Sequence, residues 1–112
     1  MASLSIRLDL MPDVRVGPGK VRLLELVAEH GSISAAGRAA GMSYRRAWLL
    51  LDELNRSFPE PVIDAAKGGR SGGGATLTPF GARLIAAYRI IEREAARVAA
   101  PHLASLGSPT NP

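Results

Sequence analysis

The segment AAKGGRSGGGATLTPFG, residues 65–81, holds six of the chain's twelve glycines, together with Lys67 and Arg70. Glycine at this density marks backbone that must approach something closely. The candidates are a nucleotide's phosphates, a metal, a nucleic-acid backbone, or only the two strands that the segment joins. A phosphate-binding loop needs a lysine followed by Ser or Thr after its last glycine, at the opening of a helix. Here Gly74 is followed by Ala75-Thr76-Leu77, which has the character of a strand, and no paired acids stand nearby to hold magnesium. Cysteine is absent, which removes disulfides, thiolate metal sites and cysteine nucleophiles together. His30 and His102 lie far apart without metal-ligand spacing, and no Ser/His/Asp constellation is recognisable. Neither an enzyme nor a bound cofactor or metal is expected.

Charge is the stronger signal. The net charge is +4 with a pI near 10.3, and the basic residues are almost all arginine. Their distribution is uneven. No acid occurs from His30 to Leu51, which carries Arg38, Arg45 and Arg46, or from Ala65 to Ile91, which carries Lys67, Arg70, Arg83 and Arg89. Such stretches point to a polyanion partner. No apolar run is long enough to span a bilayer, and MASLSIRLDLMPD alternates and carries acids, unlike a signal peptide. No membrane partner is expected, and the default compartment is the cytoplasm.

The elements that must position these charges follow from periodicity and capping. SLSIRLDL (3–10) alternates apolar and polar residues as a half-buried strand does. Met11–Val16 reads as a connector. GPGKVRLLELVAEHG reads as a first helix with Pro18 in its opening turn, Gly31 after its end, and Val21, Leu24, Val27 and Ala28 inward. Ser32 or Ser34 can cap a short second helix ending near Ala40, and Ser43 can cap a third running to about Arg56. VIDAA (62–66) and ATL (75–77) flank the glycine segment as a hairpin. Thr78-Pro79 opens a fourth helix, over about 79–100, which Pro101 ends or kinks. The order is β-α-α-α-β-β-α, one domain over residues 1–106 with a tail at 107–112. The fold class is mainly α with a small β-hairpin.

ISAAGRAAGMSYRRAWLLLD, residues 33–52, carries the most specific pattern. Two helices crossing steeply through a short turn need small residues at the crossing, a left-handed position in the turn, and apolar residues at fixed offsets. Gly37 supplies the first, Gly41 the second, and Ala36, Ala40, Met42, Ala47 and Leu50 the third. This is the pattern of a helix-turn-helix, whose second helix reads DNA with its N-terminal turns. Ser43, Tyr44, Arg45 and Arg46 are the candidate contacts on that helix, with Ser34 and Arg38 further candidates on the helix before it. Arginine can pair bidentately with guanine or hold a phosphate. Tyr44 and Trp48 lie at the edge of the apolar face and are expected to pack, with the Tyr44 hydroxyl available to a phosphate. Leu49 points outward, either to meet a thymine methyl or simply exposed.

GSISAAGRAAGMSYRRAWLLLDELN followed by GGRSGGGATLTPFGARLI resembles the DNA-binding domain of the ModE-type molybdate-responsive transcription regulators. These are similar in turn to the LysR-type winged helix-turn-helix. The resemblance spans roughly residues 17–100. It implies a winged helix-turn-helix that dimerises on double-stranded DNA, with Ser43 to Arg46 on the recognition helix and Lys67 to Gly74 in the wing. The glycines would keep that wing thin against the sugar-phosphate backbone and poorly ordered without DNA, while Lys67 and Arg70 supply charge. A plain hairpin loop is the simpler reading of the same segment. Full-length members carry a C-terminal molybdate-binding module after the last helix. The sequence beyond that helix is too short for one, so molybdate is not expected to bind this chain directly.

Along the last helix Phe80, Leu84, Tyr88, Ile91, Ala95 and Val98 form one apolar stripe, with Ile85 and Ile90 beside it. Its first half should pack on the domain. Its second half suits a copy of itself, which makes Ile85, Tyr88, Ile91, Ala95 and Val98 the candidate homodimer interface, with the N-terminal strand alongside. Arg89, Arg93 and Arg97 should line a solvated face. A sequence-specific transcription regulator, with a possible tie to molybdenum-related genes, is the expected function. A dimeric protein-interaction module that keeps the fold without specific DNA binding is the alternative.

Overall fold

The computed structural model of the chain describes residues 2–10, 13–65 and 74–107. These form, in order, β1 (Leu8–Leu10), β2 (Val14–Val16), α1 (Pro18–His30), α2 (Ile33–Ala39), α3 (Tyr44–Ser57), β3 (Ile63–Ala65), β4 (Ala75–Leu77) and α4 (Pro79–Leu106). The expected mainly helical fold with a hairpin before the last helix is present, with one strand more. The stretch read as a connector contains β2, which pairs antiparallel with β1 in the register Leu8↔Val16, Asp9↔Arg15, Leu10↔Val14. Val14 and Val16 are buried and Arg15 is exposed. Three residues of alternation are too few for a period to show; pairing with β1 is what makes them a strand. β1 is correspondingly shorter than the alternation over 3–10 suggests.

α1 is the central element, in contact with α2, α3, α4, β2 and β4. Pro18 lies in its first turn, where no N–H bond is lost, and Gly31 ends it at φ 76°, donating its N–H to the Val27 carbonyl at 2.8 Å. Val21, Leu23, Leu24, Leu26 and Val27 are buried, whereas Ala28 is exposed. A single inward stripe was too narrow an expectation, because a helix covered on several sides buries more of its circumference.

The opening of α4 is fixed against the hairpin. Thr78 Oγ1 accepts from the Gly81 N–H at 2.9 Å and donates to the Pro61 carbonyl at 2.7 Å, while the Thr78 N–H donates to the Val62 carbonyl at 3.0 Å. A Cβ on Gly81 would overlap the Val62 carbonyl, so only glycine allows this approach. The helix does not stop near Ala100 but runs through Pro101 to Leu106. Proline removes one N–H, and at this exposed position water can serve the carbonyl left free. Among the described residues no helix is long and apolar enough to cross a membrane.

Two side chains of α4 stand differently from expectation. Tyr88 is fully buried and its hydroxyl donates to the Ile6 carbonyl at 2.8 Å, so it fastens the N-terminal segment to α4 and has no surface for a partner. Arg89 is not on a solvated face. It grips Glu25 of α1 with two hydrogen bonds, at 3.0 and 2.8 Å, and Glu92 with a third at 2.7 Å. Hydrogen bonds from Arg89 hold the Glu25 carboxyl below the usual carboxylate range, against its partial burial. A depressed folded-state value means the stabilisation is complete above the ordinary glutamate pKa of about 4.3 and is lost as pH falls through the lower folded value. Arg89→Ala is therefore expected to cost about 1 kcal/mol at neutral pH, the worth of a partly exposed bidentate pair. In urea unfolding the variant and the parent should converge in stability as the solution is acidified below that ordinary value. A constant difference at every pH would contradict the pairing.

Candidate nucleic-acid interface

The arginine-bearing helices are held at their crossing by very small groups. Ser32 Oγ accepts from the Ala35 N–H at 3.0 Å and starts α2, and Ser43 Oγ accepts from the Arg46 N–H at 3.1 Å and starts α3. Between them Gly41 adopts φ 73°, and the Met42 N–H returns to the Gly37 carbonyl at 2.9 Å. A Cβ on Gly37 would stand 3.2 Å from the Ala47 Cβ, so even alanine there would require the neighbouring helix to shift by a few tenths of an ångström. Ala36 and Ala47 are buried in the shared core, with Ala40, Met42 and Leu50 packed against it. Gly37 and Gly41 thus do what their spacing implies.

α3 buries Ala47, Leu51 and Leu54 and turns the opposite face outward. Ser43, Tyr44, Arg45 and Arg46 are all exposed, as are Ser34 and Arg38 on α2, which are joined by a 3.1 Å hydrogen bond from the guanidinium to the hydroxyl. Charge pairing separates these arginines from most others. Arg7, Arg22, Arg56, Arg83, Arg89 and Arg97 each have a carboxylate within 4.0 Å. Among the described residues Arg38, Arg45 and Arg46 have none, and Arg15 and Arg93 are the others in that position. Positive potential is left uncompensated where the two helices present their outward faces.

The expectation that Tyr44 and Trp48 pack is overturned: they are 56% and 43% exposed, and Leu49 is 46% exposed. The inward face of α3 is taken by Ala47, Leu51 and Leu54, and the two rings stand outside it. Tyr44, Arg45, Trp48 and Leu49 instead surround a shallow hollow on the outer surface of α3.

The hairpin after α3 lies in the place of a wing. β3 and β4 pair antiparallel in the register Ile63↔Leu77, Asp64↔Thr76, Ala65↔Ala75. Ala75 N–H also donates to the Gly31 carbonyl at 2.9 Å, which ties β4 to the end of α1. Lys67 and Arg70 fall outside the described residues, as do most of the glycines around them. What the sequence reading missed is the residue that holds the hairpin to the recognition helix. Asn55 Oδ1 accepts from the N–H groups of Val62 and Ile63, at 2.8 and 3.1 Å, and its Nδ2 donates to the Ile63 carbonyl at 3.3 Å. An amide one turn from the end of a helix, just before a Pro-flanked strand, is the only trace of this in the sequence.

On α4, Ile91 and Val98 are exposed, Ala95 is half-buried, and Ile85 packs against the domain core. With Leu4, Ile6, Ile90 and Ala99 the three residues Ile91, Ala95 and Val98 line one apolar groove between the N-terminal segment and the second half of the helix. Ile90, expected beside the stripe, and Leu4 and Ile6 of the N-terminal segment, expected alongside it, line the same surface.

A helix pair crossing at Gly37, a recognition helix with unpaired arginines in its first turn, and a hairpin fastened behind it define a DNA-binding helix-turn-helix domain. The chain belongs to the bacterial regulatory helix-turn-helix proteins of the lysR family, whose pattern it matches over residues 19–82. The family is one of regulators, not enzymes. Molybdenum-pterin-binding protein MopA of Rhodobacter capsulatus is 44% identical over 92 residues, which are 82% of this chain and 34% of the relative. Molybdenum transport protein ModE of Azotobacter vinelandii is 40% identical over 79% of this chain and 33% of the relative. The DNA-binding transcriptional dual regulator ModE of Escherichia coli K12 is 37% identical over 80% of this chain and 34% of the relative. The chain therefore spans about a third of the length of the curated relatives it matches. The resemblance carried by GSIS, GMSY and the glycine run is borne out.

If Asn55 fastens the hairpin to α3, Asn55→Ala strands the Val62 and Ile63 N–H groups and should cost about 2 kcal/mol. Hydrogen exchange at those two amides should rise in the variant more than in α1. Unchanged protection there would show that Asn55 does not hold the strand.

Proposed function

We propose that this chain binds operator DNA as a homodimer, in the manner of a ModE-type regulator, and that the genes it controls concern molybdenum. The observation that carries the reading is the uncompensated group Arg38, Arg45 and Arg46 on the outward face of the helix pair. Duplex DNA is the polyanion whose groove admits a helix presented in this way. Ser43, Tyr44, Arg45 and Arg46 enter the major groove, and Ser34 and Arg38 meet the backbone beside it. Lys67 and Arg70 reach phosphate or the adjacent minor groove from the wing. The apolar groove lined by Leu4, Ile6, Ile90, Ile91, Ala95 and Val98 supports a second copy as the other half of the complex. The molybdenum link rests on the names of the relatives, and molybdate itself is not assigned to this chain. A DNA partner places the protein in the cytoplasm.

Trp48 is the only tryptophan and sits exposed on the recognition helix, so its emission reports on the proposed contact directly. Titration with a duplex selected by the protein should change that emission and saturate at one duplex per two chains. If about six phosphates are neutralised per complex, log K should fall against log salt with a slope of about −5. Arg45→Ala and Arg46→Ala should each weaken binding by about tenfold or more, the worth of one charged contact. Binding that ignores salt and both substitutions would remove the DNA reading and leave the dimeric interaction module, for which the exposed Tyr44 and Trp48 would be the contact.

A further inference from the structure

We propose that Leu49 is a specificity determinant that reads the 5-methyl group of a thymine next to the base contacted by Arg45. The inference rests on the DNA-binding reading and adds to it a base identity. Arg45 and Leu49 are four residues apart and lie one above the other on the outward face of α3. Leu49 separates two hollows, one also lined by Tyr44, Arg45 and Trp48, the other by Ser43, Arg45, Arg46 and Leu50. Arginine borders both. One turn further along the same face, Asp52 is closed by its 2.9 Å ion pair with Arg56. The free part of the face is therefore short, and Leu49 lies at its far end, between Arg45 and the paired Asp52.

Among the described residues the exposed large apolar side chains outside α3 lie on the N-terminal segment, β1 and α4. On α3, Leu49 lies with the rings of Tyr44 and Trp48 in a separate apolar spot beside Arg45 and Arg46, and among the three Leu49 is the aliphatic one. In the major groove the one methyl on a base edge is that of thymine; the other bases offer donors, acceptors and, at most, a bare ring C–H there. A leucine carried into the groove beside Arg45 buries most apolar surface over that methyl, and loses free energy where it desolvates a polar edge without a partner. Thymine is favoured over cytosine at that position because cytosine presents an amine instead of a carbonyl and a methyl.

The test uses the full chain and a duplex that it selects from a random pool, with each thymine then replaced singly by deoxyuridine. Removing the methyl at one position in each half-site should weaken binding about fourfold, the worth of burying one methyl. Leu49→Ala should bind the thymine and deoxyuridine duplexes equally, and Leu49→Gln, which keeps length without the apolar contact, should do the same. The residue is exposed, so both variants should unfold at the parent's temperature. Placing 5-methylcytosine at the same position should recover part of the affinity that cytosine loses. A parent protein indifferent to every methyl, or a methyl effect that survives in both variants, overturns the role of Leu49 while leaving DNA binding intact. Failure to select any duplex at low salt would overturn both readings together.

Discussion

The contact between Gly37 and Ala47 sets the crossing of α2 and α3, and with it the direction of every outward side chain on α3. With 3.2 Å between the Ala47 Cβ and the place where a Cβ on Gly37 would be, the crossing leaves less than ordinary van der Waals room for a side chain at position 37. The turn that joins them follows from this. Gly41 takes the left-handed conformation, and Met42 returns its N–H to Gly37, because only a tight reversal brings Ser43 to the start of α3 at that separation. α1 then supports both helices from below, and its burial on several sides makes the pair a fixed platform rather than two mobile arms.

Charge is distributed in keeping with that platform. Arg89 binds Glu25 and Glu92, Arg56 binds Asp52, and Arg97 binds Glu94; each serves to hold or solvate a helix. Among the described residues Arg38, Arg45 and Arg46 have no carboxylate partner; the stretch around them offers none locally, and none is brought to them by the fold as Glu60 is to Arg83 and Glu25 to Arg89. The same separation holds for apolar groups. Tyr88 is used internally, fastening the N-terminal segment, whereas Ile91 and Val98 further along the same helix remain uncovered. One helix thus joins the domain core at its start and offers an unpartnered face toward its end.

How much of this could be read from the sequence depended on whether the cause was local. Caps at Ser32, Ser43 and Thr78 and the turn at Gly41 were legible, because a hydroxyl or a missing Cβ acts within a few residues of itself. β2 was not, since three residues carry no period and their partner strand had to be known first. Tyr88 and Arg89 were misjudged for a related reason. A stripe shows which residues share a face, but the Ile6 carbonyl and the Glu25 carboxylate come from distant parts of the chain. Tyr44 and Trp48 sat at the border of the apolar face, where periodicity does not decide between packing and exposure, and both stand exposed. Asn55 has no signature in periodicity at all; its role exists only once β3 lies beside α3.

All of these features bear on one placement, the outward face of Arg45, Arg46 and Leu49 within the major groove. Protection of guanine N7 from dimethyl sulfate is its most direct measure, because that atom is open only from the major groove. The fold, together with the proposed two-fold pairing of recognition helices, predicts protected guanines in two tracts about one helical turn, or a whole multiple, apart. Saturating complex formation with no N7 protection, or protection confined to adenine N3 in the minor groove, would contradict it.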